Sequence, residues 1–321
     1  MDAVCLGILV ADLFASPIDA LPQPGELKTT SGFLMGAGGC ASNTAACLRR
    51  LGRTVRVVGK VGEDLFGDFV VRELGGRGID TSGVTRSRTH QTSSTVILNV
   101  LGQDRRYLHV IGANSDFTAE DVDPAALDDA RVMYVGGYPA MPGFRPADLA
   151  ALFEQARRKR LVTVLDVVIP AGFPTPMDWL APVLPFTDYF LPNEDEARAL
   201  TGLEDPHEQA KSLWRYNPGG TVVITRGERG SLTKCGTVVV DTPAFPVEAV
   251  DESGAGDAFS AGLITGVLEQ WPLQEVLLFA SAAGASCTRA LGCIDGVFTF
   301  EQTVAFLENA SAGAPRPQGA N

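Results

Sequence analysis

Short β-branched runs alternate with longer amphipathic stretches along most of the chain. "AVCLGILV" and "TVRVVGKV" read as strands, and between them "ASNTAACLRRLG" carries apolar residues at helical spacing before a glycine stop. A second helix is expected at "LFGDFVVRELGGRG". Strands follow at "RVMYVGG", "LVTVLDVVI", "DYFLP" and "TVVITRG", with helices at "PADLAALFEQARRKR" and "EDEARALTG" among them. "AGDAFSAGLITGVLEQ" and "LQEVLLFASAAGASCTRALG" are apolar enough for core helices. This βαβα rhythm predicts an α/β fold, a mostly parallel sheet with helices on both faces.

One region breaks the rhythm. "TSSTVILNVLGQDRRYLHVIGAN" (92–114) reads as two strands joined at "GQD", with no helix between them. "PGELKTTSGFLMG" (24–36) is also extended in character, so the two excursions are expected to meet as a small separate sheet. The Gly/Ala/Pro-rich tail at 310–321 is expected to be frayed and flexible.

Composition narrows the function classes. With 321 residues, 45% hydrophobic and 20% charged, the chain has the make-up of a globular protein with a large core. A net charge of −12 argues against nucleic acid as a partner, because phosphate backbones call for clustered Lys and Arg. A small phosphorylated ligand remains compatible with it. Six cysteines without a CxxC pair read as free, mostly buried thiols suited to a reducing cytoplasm. "MDAVCLGILVADLF" has no basic leader and is interrupted by Asp2 and Asp12, so it reads as a buried strand and not as a signal peptide. No apolar run is long enough to span a membrane.

Four stretches carry candidate chemistry. In "DESGAGDAF" (251–259), Asp257 can sit in the first turn of a helix and complement its dipole. Alternatively, the Gly254-Ala255-Gly256 amides form an anion site with Asp257 beside it to take a proton. "GAGGCASN" (36–43) contains G-x-G-x-x-A, but a dinucleotide site needs an acid at the tip of the next strand, where Gly59 and Lys60 stand. The alternative is that Gly38 and Gly39 admit a polar ligand that Asn43 holds, with Asp12 at the C-terminal end of the first strand nearby. In "LPNEDEA", Asn193 and Glu196 make a capping-box pattern, or else support Mg²⁺ through water. "TRGERG" (225–230) is either a tight turn into the hairpin "SLTKCGTVVV" or a phosphate rest at Thr225 and Gly227. No Walker A loop is present, which excludes a P-loop enzyme.

The order of these motifs (Asp12, "GGCASN", "VGEDLFGD", "GAN", "NEDEA", "TRGERG", "DESGAGDAF") resembles the ribokinase-like (PfkB) family of sugar and nucleoside kinases, from the first strand to about Phe300. The resemblance implies a three-layer α/β/α fold with a small β-sheet lid: a core of 1–13, 34–90 and 113–309 and a lid of 14–33 and 91–112. It implies an ATP-dependent kinase acting on a hydroxyl of a small carbohydrate. Asp257 would be the catalytic base and the amides of Gly254, Ala255 and Gly256 the anion hole. Asp12, Gly38, Gly39 and Asn43 match sugar contacts; Asn193 and Glu196 match the magnesium motif. Thr225, Gly227 and Gly230 match ATP contacts, Ser281 falls in the adenine pocket, and Asp251 and Ser253 match a monovalent-cation loop that takes K⁺. A homodimer through the lid is a further implication.

Two departures stand out. Glu252 replaces the family's usual Thr, and "LDVVIP" lacks D-x-N-x-R after Asp166, which disfavours fructokinase and ketodeoxygluconate kinase substrates. Tyr138 stacks on a ligand ring or simply packs. A nucleoside kinase remains an alternative, for which Phe33 and Tyr107 are the lid aromatics; a non-catalytic sugar-binding member is another.

Overall fold

The computed structural model describes residues 1–103, 106–170, 172–290 and 292–313. In chain order the strands are β1 Ala3–Gly7, β2 Val10–Ala15, β3 Phe33–Gly38, β4 Val55–Gly62, β5 Asp80–Ser87, β6 Ser94–Leu98, β7 Arg106–Val110, β8 Val132–Tyr138, β9 Val162–Val167, β10 Tyr189–Leu191, β11 Thr221–Thr225, β12 Ser231–Cys235 and β13 Val238–Thr242. The α-helices are α1 Cys40–Arg50, α2 Leu65–Gly76, α3 Pro146–Arg158, α4 Pro176–Leu180, α5 Glu194–Thr201, α6 Pro206–Trp214, α7 Ala255–Leu268, α8 Leu273–Cys287 and α9 Phe300–Gly313.

Among the described residues the main sheet has nine strands in the order β13-β12-β11-β10-β9-β8-β1-β4-β5. From β11 to β5 every pairing is parallel; β12 and β13 add an antiparallel edge. Strand alternation sorts side chains into two cores. Ala3, Cys5 and Tyr134 face α1, α7 and α8, while Val4, Leu6 and Met133 face α3, α5 and α6. Parallel strands covered on both faces need apolar residues at every position, as the fully buried β1 and β8 have. The result is the three-layer α/β/α architecture.

Among the described residues the second sheet has four strands, β3-β2-β6-β7, and joins both excursions. β2–β3 and β6–β7 are antiparallel, whereas β2–β6 is parallel. The strands reach from Val10 to Gly38 on one side, beyond the expected 14–33. Asp104 of the "GQD" turn lies outside the described residues. At the C-terminus α9 runs to Gly313, and 314–321 lie outside the described residues.

Asp12 is not at the end of the first strand. β1 stops at Gly7, where φ is +149° and a Cβ would lie 2.0 Å from the Gly136 carbonyl oxygen, and the chain re-enters extended structure as β2 in the small sheet. β3, which leads into "GAGGCASN", belongs to the small sheet as well, so it does not open the parallel βαβ unit of a dinucleotide site. Tyr138 packs: it is fully buried, its ring 5.9 Å from Trp179.

Candidate active site

At the C-terminal ends of the parallel strands lies a cavity of about 180 Å³. Its wall brings together Cys40 from α1, Asp166 from β9, Asn193 and Glu196 around the start of α5, Thr225 from β11, and Gly254 to Asp257 at the start of α7. Open parallel sheets place ligands at this edge because helix N-termini converge there.

The turn into α7 explains its glycines. Gly254 caps the helix at φ +76°, and a Cβ on it would come within 2.6 Å of the Cβ of Cys293. Gly256 is different: a Cβ there meets nothing within 4 Å, so its bare backbone borders open space. First-turn amides have no intrahelical acceptor. The Ala255 amide, one of the expected anion-hole donors, makes a long 3.3 Å bond to the Glu252 carbonyl.

Asp257 stands in that first turn. Its Oδ2 accepts from Asn43 Nδ2 at 2.9 Å, and its backbone carbonyl accepts from Thr44 Oγ1. Burial, and then repulsion from Asp166, push the Asp257 carboxyl up to about 7, against the lowering effect of Asn43. A carboxylate tuned to this range can take a proton near neutral pH. Asn43 is 5% exposed, and its Oδ1 is buried without a hydrogen-bond partner among the described residues. Such an atom is costly unless a donor meets it, and a ligand hydroxyl has the right chemistry.

Asp166, Tyr134 and Ser260 were not singled out as site residues by the sequence. Asp166 accepts from Tyr134 Oη at 2.8 Å and Ser260 Oγ at 3.2 Å, and burial raises its carboxyl to about 6. The only signal in the sequence was a lone acid closing an apolar strand.

At the small sheet, Gly38 and Gly39 are required by the protein itself. A Cβ on Gly38 would lie 1.9 Å from Asp12 Oδ2, and one on Gly39, at φ +91°, would lie 2.4 Å from the Ile8 carbonyl. The first leaves room for the Asp12 carboxylate, which burial pushes up to about 6. Asp12 also helps to raise Asp257 by charge repulsion, so the two acids share one field.

Asn193 and Glu196 form a reciprocal capping box, Asn193 N donating to Glu196 Oε2 at 2.8 Å and Glu196 N to Asn193 Oδ1 at 2.9 Å. Glu196 nonetheless faces the cavity, and burial with Asp166 nearby lifts its carboxyl to about 8. Among the described residues no three His, Cys, Asp or Glu side chains stand close enough to hold a metal on their own. The donor set here is all oxygen and thin, which fits Mg²⁺ carried in on phosphates.

Thr225 borders the cavity, and Gly227, at φ +57°, opens to space. Gly230 is a turn glycine, its would-be Cβ 1.9 Å from the Thr242 carbonyl. Ser281 lies outside the cavity wall and donates to the Pro243 carbonyl at 3.0 Å. The Asp251 carboxylate accepts from Ser253 N at 2.9 Å and Gly292 N at 3.0 Å, bracing the loop before α7.

The family model for the pfkB family carbohydrate kinases matches residues 2–299. The chain belongs to the pfkB family. Among its relatives, ribokinase of Haemophilus influenzae is 29% identical, with 95% of this chain and 98% of that one covered. The 5-dehydro-2-deoxygluconokinase of Geobacillus kaustophilus is 27% identical over 98% of this chain and 96% of its own. The fold is that of Arabidopsis thaliana ribokinase complexed with ribose and ATP: TM-score 0.82, 24% identity, 96% and 98% of the two chains covered. A fructokinase of Xylella fastidiosa with bound ATP superposes at TM-score 0.80 with 21% identity, covering 97% of this chain and 99% of that one.

Proposed function

We propose that this pfkB member is an ATP-dependent sugar kinase, transferring the γ-phosphate of ATP to a hydroxyl of a small carbohydrate. The observation that carries the reading is Asp257: a carboxylate held at about 7, hydrogen-bonded to Asn43, beside the glycine amides that open α7. Asp257 takes the proton of the attacking hydroxyl. The Gly254 and Gly256 amides, with the dipole of α7, stabilise charge on the phosphoryl group in flight. Asn43 Oδ1 and Asp12 accept from acceptor hydroxyls. Thr225 and Gly227 support the nucleotide phosphates. Asn193 and Glu196 would hold Mg²⁺ through water, and the ion would neutralise phosphate charge.

The small sheet acts as a lid that excludes water, which would otherwise accept the phosphoryl group. Phe33, Met35 and Leu108 are exposed on one of its faces, which supports a homodimer formed through the lid. The free cysteines suit a cytoplasmic enzyme, and no helix among the described residues is long and apolar enough to cross a membrane. K⁺ at Asp251 and Ser253 has weaker support, since both Asp251 oxygens already accept backbone amides. The nucleoside alternative also has weak support: Phe33 pairs with Ala15 and Tyr107 with Ile97, positions on opposite faces of the small sheet, so these aromatics make no common stacking surface. ATP consumption coupled to product detection across pentoses, hexoses, polyols and nucleosides tests the proposal. Transfer to none of them overturns it.

A further inference from the structure

Two stretches of the sequence, "VGEDLFGD" and "GAN", do not reach the cavity wall; both act where the small sheet joins the main body. Just before β6, Asp64 accepts from Thr92 N at 2.7 Å and from Thr92 Oγ1 at 2.6 Å. Just after β7, Asn114 lies 2% exposed in the turn Gly112–Ser115. Its Oδ1 accepts from Leu9 N and its Nδ2 donates to Leu9 O, both at 3.1 Å, although 105 residues separate the two.

Leu9 lies between β1 and β2 and is part of neither strand, so its main-chain groups have no ladder to join. They are buried and need partners, and the Asn114 amide serves both as a neighbouring peptide would. The crossing it holds is also wedged against the site. Ile8 N donates to Gly136 O at 3.3 Å, near the end of β8. On the other side, a Cβ on Gly39 would come 2.4 Å from the Ile8 carbonyl oxygen, so the two backbones pack in contact. Gly39 caps α1, Asn43 N donates back to Gly39 O at 2.9 Å, and Asn43 Nδ2 reaches Asp257 Oδ2. Every step from Asn114 to Asp257 is a hydrogen bond or a close backbone contact.

We propose, on the kinase reading above, that Asn114 is a positioning residue for phosphoryl transfer: it ties the return of the small sheet to the 7–9 crossing, and so passes closure of that sheet on to α1 and the Asn43–Asp257 pair. Asn114 is not in the cavity wall, so it acts on geometry and not on binding. Closed sheet and aligned base arrive together, which favours transfer over loss of the phosphoryl group to water. Without the amide the return of the sheet and the crossing are uncoupled, and the sheet can close while the first turn of α1 stays out of place.

The test measures ATP hydrolysed per acceptor phosphorylated, a ratio that a smaller folded fraction leaves unchanged. Asn114→Ala should raise it at least ~5-fold and lower kcat per titrated site at least ~10-fold, with the KM for acceptor and for ATP within a factor of about three. Gln209→Ala is the control. This buried side chain on α6 also holds a main-chain carbonyl, that of Leu203, at 2.7 Å, so its loss should lower Tm and keep the wild-type ratio. In the double variant with Asn43→Ala, the loss in kcat should be at least ~3-fold smaller than the product of the single losses, because both act through one contact. The wild type supplies a second measurement should Asn114→Ala not fold: acceptor should slow amide exchange at Leu9 and over 39–44 along with 94–110. A wild-type ratio in Asn114→Ala, losses that multiply, or slowing at 94–110 with none at 39–44 overturns the inference and leaves the kinase reading standing. Absence of transfer to any acceptor by the wild type overturns that reading, and the inference with it.

Discussion

Asn43 Nδ2 donates to Asp257 Oδ2 across 2.9 Å, joining the start of α1 to the start of α7 although 214 residues separate them. Each residue stands in the first turn or so of its helix, so the bond brings two helix N-termini to one point. This pairing lowers the Asp257 carboxyl while burial and Asp166 raise it, and the balance at about 7 is set by named neighbours that can be removed one at a time.

Activity should therefore rise with pH as Asp257 loses its proton, with the acidic limb of the kcat/KM profile near the value of about 7. Asn43→Ala removes a group that favours the charged form, so the limb moves to higher pH. Asp166→Asn removes a repelling charge, so the limb moves to lower pH. Asp257→Asn should reduce kcat by at least ~10²-fold with ATP binding retained. Limbs that move together, or a near-normal Asn variant, remove Asp257 from the role of base.

The same shift has a consequence for stability. Asp257 has a folded value of about 7 against the ordinary aspartate value of 3.8, so between these the folded state holds more protons than the unfolded one. Stability then falls as pH rises through this window. Asp257→Asn removes the group that titrates. Its Tm relative to wild type should be higher at pH 8 than at pH 5, measured by calorimetry at matched ionic strength. A difference independent of pH contradicts the assigned burial.

Gly254 and Gly256 separate folding from function. Gly254→Ala forces a side chain into φ +76° and against Cys293, so a loss of ~1–3 kcal/mol in stability is expected. Gly256→Ala points its methyl into open space beside the amides, so the protein should melt near the wild-type temperature yet transfer phosphate poorly. Equal stability of the two variants contradicts the geometry; full activity of Gly256→Ala contradicts the anion hole.

What could be read from the sequence was what is local. The βαβα order, the two apolar helices α7 and α8 and the glycine turn at 254–256 each lie in one contiguous stretch with its own periodicity or turn chemistry. The break between β1 and β2 could not be read, because "CLGILVADL" is apolar almost throughout and Gly7 ends the strand only through its approach to Gly136. β5, rich in polar residues at a sheet edge, and α6, whose start is marked mainly by its Asp205 cap and Pro206, gave little periodic signal. Asp166, Tyr134 and Ser260 are joined by hydrogen bonds spanning 32 and 94 residues, and no pattern along the chain reports such a meeting.

Glu196 serves both the α5 cap and the cavity, and the two roles come apart under substitution. Glu196→Gln can still accept from Asn193 N, so folding should change little, while the Mg²⁺ concentration for half-maximal rate should rise ~10-fold. Replacing K⁺ by Na⁺ at constant ionic strength should alter the rate less than removing Mg²⁺ does, since the Asp251 carboxylate is already engaged. A Glu196→Gln enzyme with lowered Tm and unchanged Mg²⁺ dependence confines this residue to capping.

The lid prediction turns on Asp12. Its carboxylate sits in β2 of the small sheet, yet its charge is felt at Asp257 on the main body, so an acceptor bound between them bridges the two sheets. Acceptor binding should therefore draw β2, β6 and β7 down over the cavity, and amide exchange across 94–110 should slow when acceptor is added but not when ATP alone is added. Asp12→Ala removes the hydrogen-bond acceptor on the lid side, so kcat/KM for the sugar should fall at least ~10²-fold while ATP affinity stays within a factor of about two. Because closure keeps water from the phosphoryl group, the same variant should also hydrolyse more ATP per sugar phosphorylated. Unchanged exchange at saturating acceptor refutes closure, and a wild-type kcat/KM in Asp12→Ala refutes the bridge.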